Sequence, residues 1–434
     1  MRVAFYTLGC KVNQYETQAL EQLFAARGHA LVPFEGEADA YIVNSCTVTA
    51  VSDKKSRQTV RQARKRAPGA VIALCGCYPQ THPEDMDDLP VDLVAGTGDR
   101  ARFVELVEQA WAERQPITAL DDAMKRRVFE PLPAGGLEGR TRAMLKVEDG
   151  CVNFCTYCII PYARGPVRSL PLCDAVEQAK KLAAEGYREL VLTGIEISSW
   201  GHDFRDGSSL IDLVEAVCGA APDCRVRLGS LEPRTVTEEF CVRGAKLDNL
   251  CPHFHLSMQS GCDATLRRMN RKYGTARFFE SVSLLRRHFD APAVTTDMIV
   301  GFPGETEEEF AQSLEFIRRC AFAAMHIFPY SRRPGTPAAA MPGQVLNAVK
   351  EERARRAGEI AAGMERDYLS RFAGQRVEVL FEEERDGLWR GHTARYSEVR
   401  VKSGENLHNR LCRVSVTGVG DGYLEGEILN LENR

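Results

Sequence analysis

The chain has 434 residues, 44% of them hydrophobic and 27% charged, and its formal net charge is −4. This composition is typical of globular proteins, and the weak overall charge does not by itself indicate a nucleic-acid-binding protein. No run of about 18 apolar residues predicts a membrane span, and the N-terminal sequence MRVAFYTLGC lacks the basic and apolar regions of a targeting peptide. We therefore expect a cytoplasmic protein with no membrane partner. Any clustered cysteines among its fifteen indicate metal or redox chemistry rather than disulfides.

The first 115 residues predict an open parallel α/β sheet, which we take as the first domain. Continuous Val, Ile and Leu runs alternate with helical patterns, as in parallel strands covered by helices on both faces. The predicted strands cover residues 3–8, 39–46, 70–77 and 92–97, and an amphipathic helix covers residues 15–28. The sequence PLPAGGLEG at residues 131–139 breaks the pattern and predicts a linker.

The same alternation returns in the middle of the chain and predicts a partial (β/α)6 barrel, a domain placed at residues 137–368. Six strand-like runs are too few for a complete eight-stranded barrel. They cover residues 143–147, 189–197, 225–233, 253–260, 293–303 and 323–331.

The last domain is expected at residues 370–434. After a long helical pattern at residues 344–372, four segments alternate apolar and polar residues and are separated by Gly and Asn. This pattern predicts a small antiparallel β-barrel.

Three cysteines, Cys151, Cys155 and Cys158, follow the first predicted barrel strand in the sequence CVNFCTYC. The ends of parallel barrel strands form the active-site face, and three thiolates on one turn suit an iron–sulfur cluster. Zinc and chance clustering are the alternatives, but zinc needs a fourth ligand nearby, and the nearest downstream histidine is His202. A cluster with three ligands leaves one iron open to an exchangeable group.

A second, dispersed group consists of Cys10, Cys46 and Cys77, each at the end of a predicted strand of the first domain. Ligands of open α/β sheets bind beyond those strand ends, so three distant cysteines can converge there. The alternative is that these are ordinary buried cysteines, and the spacing alone does not decide between the two.

The segment KVEDGCVNFCTYCIIPYARGPVRS resembles the signature of the radical S-adenosylmethionine (SAM) superfamily, and specifically of its methylthiotransferase branch. LGCKVNQYET, VNSCTV and CGCYPQ resemble the three cysteine motifs of that branch's N-terminal domain, and the tail resembles the RNA-binding TRAM domain. The resemblance implies two [4Fe–4S] clusters, held by the two cysteine groups. It also implies that SAM occupies the open iron of the barrel cluster and yields a 5′-deoxyadenosyl radical, while the other cluster carries the transferred sulfur.

The resemblance also suggests which residues contact SAM or the substrate. Tyr157 matches a family position near the adenine of SAM, although ordinary packing would also explain an aromatic residue there. Gly194, Glu196 and Gln259 lie in the family's barrel motifs LTGIEISSWG and SMQSGCDATLRRMNR and are weaker candidates.

The segment LGCKVNQYET resembles the corresponding segment of the MtaB group of the family. The substrate of that group is N6-threonylcarbamoyladenosine at position 37 of tRNA, next to the anticodon. The expected product is the 2-methylthio derivative. The alternative substrates are N6-isopentenyladenosine in tRNA and a ribosomal-protein aspartate, and the non-enzymatic alternative is a zinc or iron–sulfur RNA-binding protein. The implied partners are the tRNA anticodon loop, an electron donor such as flavodoxin or ferredoxin, and a sulfur-supplying system.

An RNA substrate requires phosphate contacts and stacking partners. The basic run after Cys46 is either the solvated face of a helix or an RNA-binding surface, and a second basic run follows a barrel strand. The tail interleaves aromatic and basic residues. The RNA-binding candidates are Lys54, Lys55, Arg57, Arg61, Arg64, Lys65, Arg66, Arg267, Arg268, Arg271, Trp389, Arg395 and Arg400.

Overall fold

The protein is described here from a computed structural model that covers residues 1–135 and 141–430. The end of the predicted linker, the first residues of the predicted central domain and the last four residues of the predicted tail domain lie outside the described residues. The part of the linker that is described packs against the first domain. Tyr15 donates a hydrogen bond to the carbonyl oxygen of Leu132 (2.7 Å), and Ala134 is buried.

The N-terminal part of the chain is a six-stranded parallel sheet with helices on both faces, as expected. Its strand order is β2-β1-β3-β4-β5-β6. The strands are β1 (Arg2–Thr7), β2 (Ala30–Val32), β3 (Ala40–Ser45), β4 (Val71–Gly76), β5 (Leu93–Ala95) and β6 (Ile117–Ala119). The helices are α1 (Lys11–Ala26), α2 (Ala50–Arg66), α3 (Cys77–Thr81) and α4 (Arg100–Glu113). The sheet extends past residue 115 because β6 is its last strand.

The central part is a barrel of six parallel strands that stays open on one side. Two three-stranded sheets, β11-β10-β7 and β12-β13-β14, are joined by isolated parallel bridges such as Leu231 to Leu256. The barrel strands are β7 (Arg142–Lys146), β10 (Glu189–Thr193), β11 (Arg225–Leu228), β12 (His253–Gln259), β13 (Ala293–Val300) and β14 (Ala324–Pro329). The two-residue strands β8 (Glu148–Asp149) and β9 (Arg168–Ser169) pair antiparallel in a separate small sheet.

Helices cover the outside of this barrel and bury its apolar face. They are α5 (Ile160–Arg164), α6 (Leu172–Ala184), α7 (Leu210–Ala220), α8 (Glu238–Gly244), α9 (Asp263–Arg268), α10 (Thr275–His288), α11 (Glu307–Cys320), α12 (Pro337–Ala340) and α13 (Asn347–Ser370). Thr306 caps α11, and Glu309 completes a capping box. Outward residues such as Leu190, Val226 and Phe254 form the main core with these helices.

The C-terminal part is a closed five-stranded barrel with the order β15-β16-β17-β19-β18. Its strands are β15 (Arg376–Arg385), β16 (Leu388–Thr393), β17 (Glu398–Val401), β18 (Leu411–Val419) and β19 (Leu424–Asn430). The prediction of a purely antiparallel barrel is wrong at one pairing, because β17 and β19 run parallel. An odd number of strands cannot alternate in direction around a closed ring, so one parallel pair is unavoidable. Within the described residues, no helix is long and apolar enough to cross a membrane.

Candidate active site

The loop that carries Cys151, Cys155 and Cys158 follows the short strand β8 at the C-terminal end of the barrel. Gly150 begins the loop with φ +94°, and a Cβ there would collide with the carbonyl group of Pro166. The amide of Cys158 donates to the carbonyl oxygen of Cys155 (2.9 Å), which tightens the turn. The amide of Asn153 points to the sulfur of Cys151 (3.5 Å). The three cysteines therefore lie on one short, tightly turned loop.

The segment after α9 braces this loop. The amide and hydroxyl of Thr156 donate to the carbonyl oxygens of Met269 (3.1 Å) and Arg268 (2.8 Å). Asn270 donates to the carbonyl oxygen of Phe154 (2.9 Å), whose φ is +44°. Arg271 donates to the sulfur of Cys155 (3.2 Å). Four consecutive residues thus hold the cysteine turn in place.

Two of the predicted RNA-binding residues, Arg268 and Arg271, are engaged within the protein. Arg271 is committed to Cys155, to the carbonyl oxygen of Ser257 (3.2 Å) and to the hydroxyl of Tyr273 (3.0 Å). Arg268 pairs with Glu309. Only Arg267 of this run is exposed without such a partner among the described residues.

Cys10, Cys46 and Cys77 converge at the C-terminal edge of the N-terminal sheet. They follow β1, β3 and β4, which are adjacent parallel strands. Gly9 has φ +116°, and a Cβ there would lie 2.8 Å from the Cβ of Cys46, so the Cys10 turn packs directly on Cys46. The three thiols are close enough to influence one another electrostatically.

Asn13 fixes the first turn of α1 beside these cysteines. Its side-chain amide donates to the carbonyl oxygens of Leu8 (2.8 Å) and Ser45 (2.9 Å), and so ties the Cys10 turn to the end of β3. Its carbonyl oxygen accepts a hydrogen bond from Arg164 (2.8 Å) of the barrel. Helix α1 begins at Lys11 rather than at residue 15, because Val12 and Asn13 are buried in this contact.

The two cysteine-bearing regions face each other across the contact between sheet and barrel. Helix α3, which begins with Cys77, packs on α5, which follows Cys158. Thr97 donates to the carbonyl oxygen of Ala163 in α5 (2.6 Å). Arg333, which follows β14, bonds Thr47 next to Cys46 (2.6 Å) and pairs with Asp53 (2.6 Å). Segments that carry both groups are therefore directly linked.

A buried charge network fills the space between them. Glu16 of α1 pairs with Arg100 (2.7 Å), Lys146 (2.9 Å) and Arg164. Asp149 also pairs with Lys146 (2.8 Å). Arg168 supplies a further cation, at 3.3 Å from Asp149. Four cations thus surround two carboxylates, and the positive charge of Arg164 favours the thiolate forms of Cys46 and Cys77.

The residues present fit iron–sulfur clusters in their donor chemistry. Burial raises the pKa of Cys77 and of Cys158 to about 12, so the thiols are protonated until a metal displaces the proton. A tetrahedral zinc site needs sulfur atoms within about 4 Å of one another. Among the described residues no three His, Cys, Asp or Glu side chains are grouped to hold a single metal ion.

The candidate SAM-contacting residues surround the barrel cysteines. Tyr157 is half-buried and packs edge-on against Phe302. A Cβ at Gly194 would lie 2.8 Å from a carboxylate oxygen of Glu148, so only glycine fits there. Gln259 ends β12 with φ +66°.

Glu196 accepts a hydrogen bond from Asn153 (3.1 Å), two residues after Cys151. Burial, followed by the charge of Glu232, raises the pKa of Glu196 to about 7. This carboxyl group beside the cysteine loop therefore changes its charge near neutral pH.

The basic residues of helix α2 fall into two groups: those that contact other parts of the protein and those that are exposed. Arg64 pairs with Asp92 (2.5 Å) and caps nearby carbonyl groups. Arg57 bonds the hydroxyl of Tyr78 (2.8 Å), and Arg66 bonds the carbonyl oxygen of Phe34 (2.5 Å). The candidates that are exposed with no partner in the described parts of the chain are Lys54, Lys55, Arg61 and Lys65.

The tail candidates are engaged inside the protein. Trp389 is 7% exposed and packs in the core of the C-terminal barrel, so the prediction that it stacks on a base is wrong. Arg395 bonds the carbonyl oxygen of Ala291 (3.0 Å) and pairs with Asp290 (3.0 Å). Arg400 pairs with Glu398 (2.5 Å) and lies over the ring of Tyr423. Both arginines are thus engaged within the protein, and their role in RNA binding stays a prediction.

The C-terminal barrel covers the N-terminal end of the central barrel. Arg225, the first residue of β11, donates to Glu378 (2.8 Å). Arg227 donates to the carbonyl oxygen of Ala394 (2.9 Å). This is the end opposite to the cysteine loop, so the tail forms the floor of the central barrel.

The sequence interpretation missed Asn13, Glu16, Arg164 and Asn270. Their partners are distant in the chain, so no spacing pattern exposes them. The one available signal was that all four lie in motifs quoted above: Asn13 and Glu16 in LGCKVNQYET, Arg164 in KVEDGCVNFCTYCIIPYARGPVRS and Asn270 in SMQSGCDATLRRMNR.

Residues 2–96 match the Uncharacterized protein family UPF0004, and residues 145–317 match the Radical SAM superfamily. A threonylcarbamoyladenosine tRNA methylthiotransferase MtaB of Bacillus subtilis (strain 168) is 41% identical over 99% of this chain and 96% of its own length. A tRNA-2-methylthio-N(6)-dimethylallyladenosine synthase of Moorella thermoacetica is 34% identical over 98% of this chain and 97% of its own.

Among solved structures, the radical SAM methyltransferase TsrM of Kitasatospora setae matches with a TM-score of 0.57 at 16% identity, over 78% of this chain and 75% of its own. At that identity the likeness shows the fold alone. The full-length relatives and the two matched families carry the assignment: the chain belongs to the radical SAM methylthiotransferase family.

Proposed function

We propose that this protein is a tRNA methylthiotransferase that converts N6-threonylcarbamoyladenosine at position 37 into its 2-methylthio derivative. The observation that carries the proposal is the pair of three-cysteine groups facing each other at the barrel mouth. The more similar of the two relatives described above is named for this nucleoside. The other is named for the dimethylallyl nucleoside, which makes that substrate the first competitor to test.

In this proposal Cys151, Cys155 and Cys158 hold one [4Fe–4S] cluster, and Cys10, Cys46 and Cys77 hold the other. When bound, the clusters and SAM supply radical chemistry at the barrel and the sulfur atom at the sheet edge. Each group of three cysteines supplies three thiolates, which leaves one position of each cluster for an exchangeable group. In this proposal the substrate carbon lies between the two clusters, which agrees with the facing arrangement of the cysteine groups.

The surrounding residues have supporting roles. Arg271 and the amide of Asn153 point at cluster sulfurs, where hydrogen bonds tune an iron–sulfur centre. Asn13 and Arg164 hold the Cys10 turn against the barrel. We also propose that Tyr157, Gly194, Glu196 and Gln259 line the SAM site.

The tRNA is proposed to reach the site over the exposed face of α2. Lys54 and Lys55 lie within the first two turns, close to the Cys46 loop, whereas Lys65 lies about 15 Å further along the axis at 1.5 Å per residue. Lys54 and Lys55 should therefore contact phosphates nearest the reacting base. An electron donor such as flavodoxin or ferredoxin and a sulfur-supplying system complete the proposed partners.

We propose three functional units that follow the predicted boundaries of 1–115, 137–368 and 370–434. The first unit is extended to residue 119 so that it includes β6. In this arrangement the third unit closes the floor of the barrel rather than flanking its mouth.

The substrate is tested with anaerobically reconstituted protein, SAM, sulfide and a chemical reductant. Three tRNAs are supplied, carrying threonylcarbamoyladenosine, isopentenyladenosine or unmodified adenosine at position 37, and the nucleosides are analysed by mass spectrometry. We expect the methylthio product only from the first. Product from the isopentenyl tRNA with the threonylcarbamoyl tRNA unchanged would overturn the proposal. Cys173→Ala, at an exposed cysteine on α6, is the matched control and should behave as wild type.

A further inference from the structure

A cavity of about 520 Å³ opens inside the central barrel. Its floor is formed by the C-terminal barrel through His392 and Tyr396, and its wall reaches Gly229 and Ser230, just beyond the C-terminal end of β11. Among the described residues β7 and β14 do not pair, so the barrel is open along one side. Helix α1 packs beside β7, and its first residue, Lys11, lines the cavity.

Most charged side chains on this wall already have partners. Glu398 pairs with Arg400 (2.5 Å), whereas Glu365 on the same wall has no such partner among the described residues. His255 lies 3.3 Å from Asp297. Arg395 pairs with Asp290 (3.0 Å).

Lys11 differs from these groups. It is exposed to the cavity, and within the parts of the chain that the structure describes it has no hydrogen bond and no ion pair. Burial, and then the positive charges of Arg227 and Arg142, lower the pKa of Lys11, while Glu189, which raises it, is shared between those two arginines. A lysine without a partner on the wall of a cavity, with two arginines nearby, is suited to bind an anion.

The position of Lys11 in the chain indicates which anion it would bind. Lys11 follows Cys10, so this part of the cavity adjoins the group proposed to hold the sulfur-bearing cluster. The proposed function places the base between the two cysteine groups, so its N6 substituent would extend past Cys10 towards Lys11 and the cavity. A threonylcarbamoyl group ends in a carboxylate, whereas an isopentenyl group offers no hydrogen-bond acceptor. An isopentenyl group would leave the ammonium of Lys11 unpaired, which disfavours that ligand.

Resting on the proposed function, we propose that Lys11 binds the carboxylate of the threonylcarbamoyl group and selects this nucleoside over neutral N6 substituents. A charge-assisted hydrogen bond of this kind corresponds to roughly a 10- to 100-fold preference for the carboxylate. The role is one of specificity, because Lys11 contacts the substrate away from the reacting carbon.

The test crosses two proteins with two substrates. Wild type and Lys11→Gln are assayed on anticodon stem-loop RNA carrying the threonylcarbamoyl carboxylate or its neutral carboxamide. We expect wild type to favour the carboxylate in kcat/KM by about 10- to 100-fold and Lys11→Gln to show a ratio near one. Lys11→Arg should retain most of the preference, and Lys180→Gln on exposed α6 should match wild type. An unchanged ratio in Lys11→Gln would overturn the inference.

The ratio of the two kcat/KM values separates a specific role of Lys11 from damage to the neighbouring Cys10 turn. Structural damage would lower kcat/KM for both substrates equally and leave the ratio unchanged. If Lys11→Gln turns over neither RNA, the two dissociation constants measured by fluorescence anisotropy give the same ratio without catalysis. Equal loss of binding to both RNAs would also overturn the inference. Failure of the proposed function looks different, because wild type would then leave the carboxylate RNA unmodified.

Discussion

Replacing Glu16 by glutamine should destabilise the protein by about 3–5 kcal/mol at neutral pH. Glu16 is 1% exposed and is the carboxylate shared by Arg100, Lys146 and Arg164. Asp149 would still pair with Lys146, but Arg100 has no other ion pair among the described residues. Leaving a buried charge without its partner costs about 3–5 kcal/mol. Because the network joins α1 to the barrel, the loss should separate the two parts first.

The pH dependence of this effect has a definite sign. Burial alone would raise the pKa of Glu16, but the charges of Arg164, Lys146 and Arg100 outweigh it and hold the pKa well below its usual value. A carboxylate with a lowered folded-state pKa stabilises the fold above its unfolded pKa of about 4.3, and this stabilisation is lost as the pH falls through the folded pKa. The difference between wild type and variant should therefore be constant from pH 7 to 5 and shrink at lower pH.

Urea unfolding of wild type and Glu16→Gln, followed by tryptophan fluorescence under anaerobic conditions, measures the difference. The control is Glu105→Gln, which breaks an exposed pair with Arg102 (2.7 Å) and should cost at most about 1 kcal/mol. If the two variants unfold at the same urea concentration, the buried network does not hold the sheet to the barrel.

Three further outcomes follow from the contacts. Trp389→Ala should destabilise the C-terminal barrel by about 3–5 kcal/mol without changing the KM for tRNA, which loss of a base-stacking contact would raise. Charge reversal at Lys54 and Lys55 should raise the KM for tRNA and flatten its salt dependence while leaving RNA-independent SAM cleavage intact, whereas reversal at Arg64 should lower the thermal unfolding temperature. The KM for the cationic SAM should fall as the pH rises through about 7, where the Glu196 carboxyl group ionises, and should be independent of pH in Glu196→Gln.

The sequence alone predicted the structure correctly where one short segment determines it. The fully buried strands β3 and β4 are uninterrupted apolar runs, so their positions were predicted to within a residue or two. Convergence of Cys10, Cys46 and Cys77 followed from the rule that parallel strands end at one edge. The strands β2 and β6 have only three residues each, too few to show a period, and they were missed.

The features that the sequence did not predict depend on contacts between distant parts of the chain. Basic residues such as Arg64, Arg268 and Arg271 look alike in sequence whether they face solvent or pair with a distant carboxylate or thiol. Trp389 lies in an alternating strand, where the pattern does not tell which face is the inside of a small barrel. The location of the tail beneath the central barrel follows from pairs such as Arg225 with Glu378, which no local pattern predicts.

The central claim is that two separate cysteine groups divide the chemistry, and two triple variants test it in one assay. SAM cleavage and methylthio product are measured together on threonylcarbamoyl tRNA, with iron content as the control for cluster loading. Alanine at Cys151, Cys155 and Cys158 should abolish both. Alanine at the group formed by Cys10, Cys46 and Cys77 should leave about half the iron and intact SAM cleavage but no product. Product at the wild-type rate from the second variant, or SAM cleavage by the first, would contradict the account.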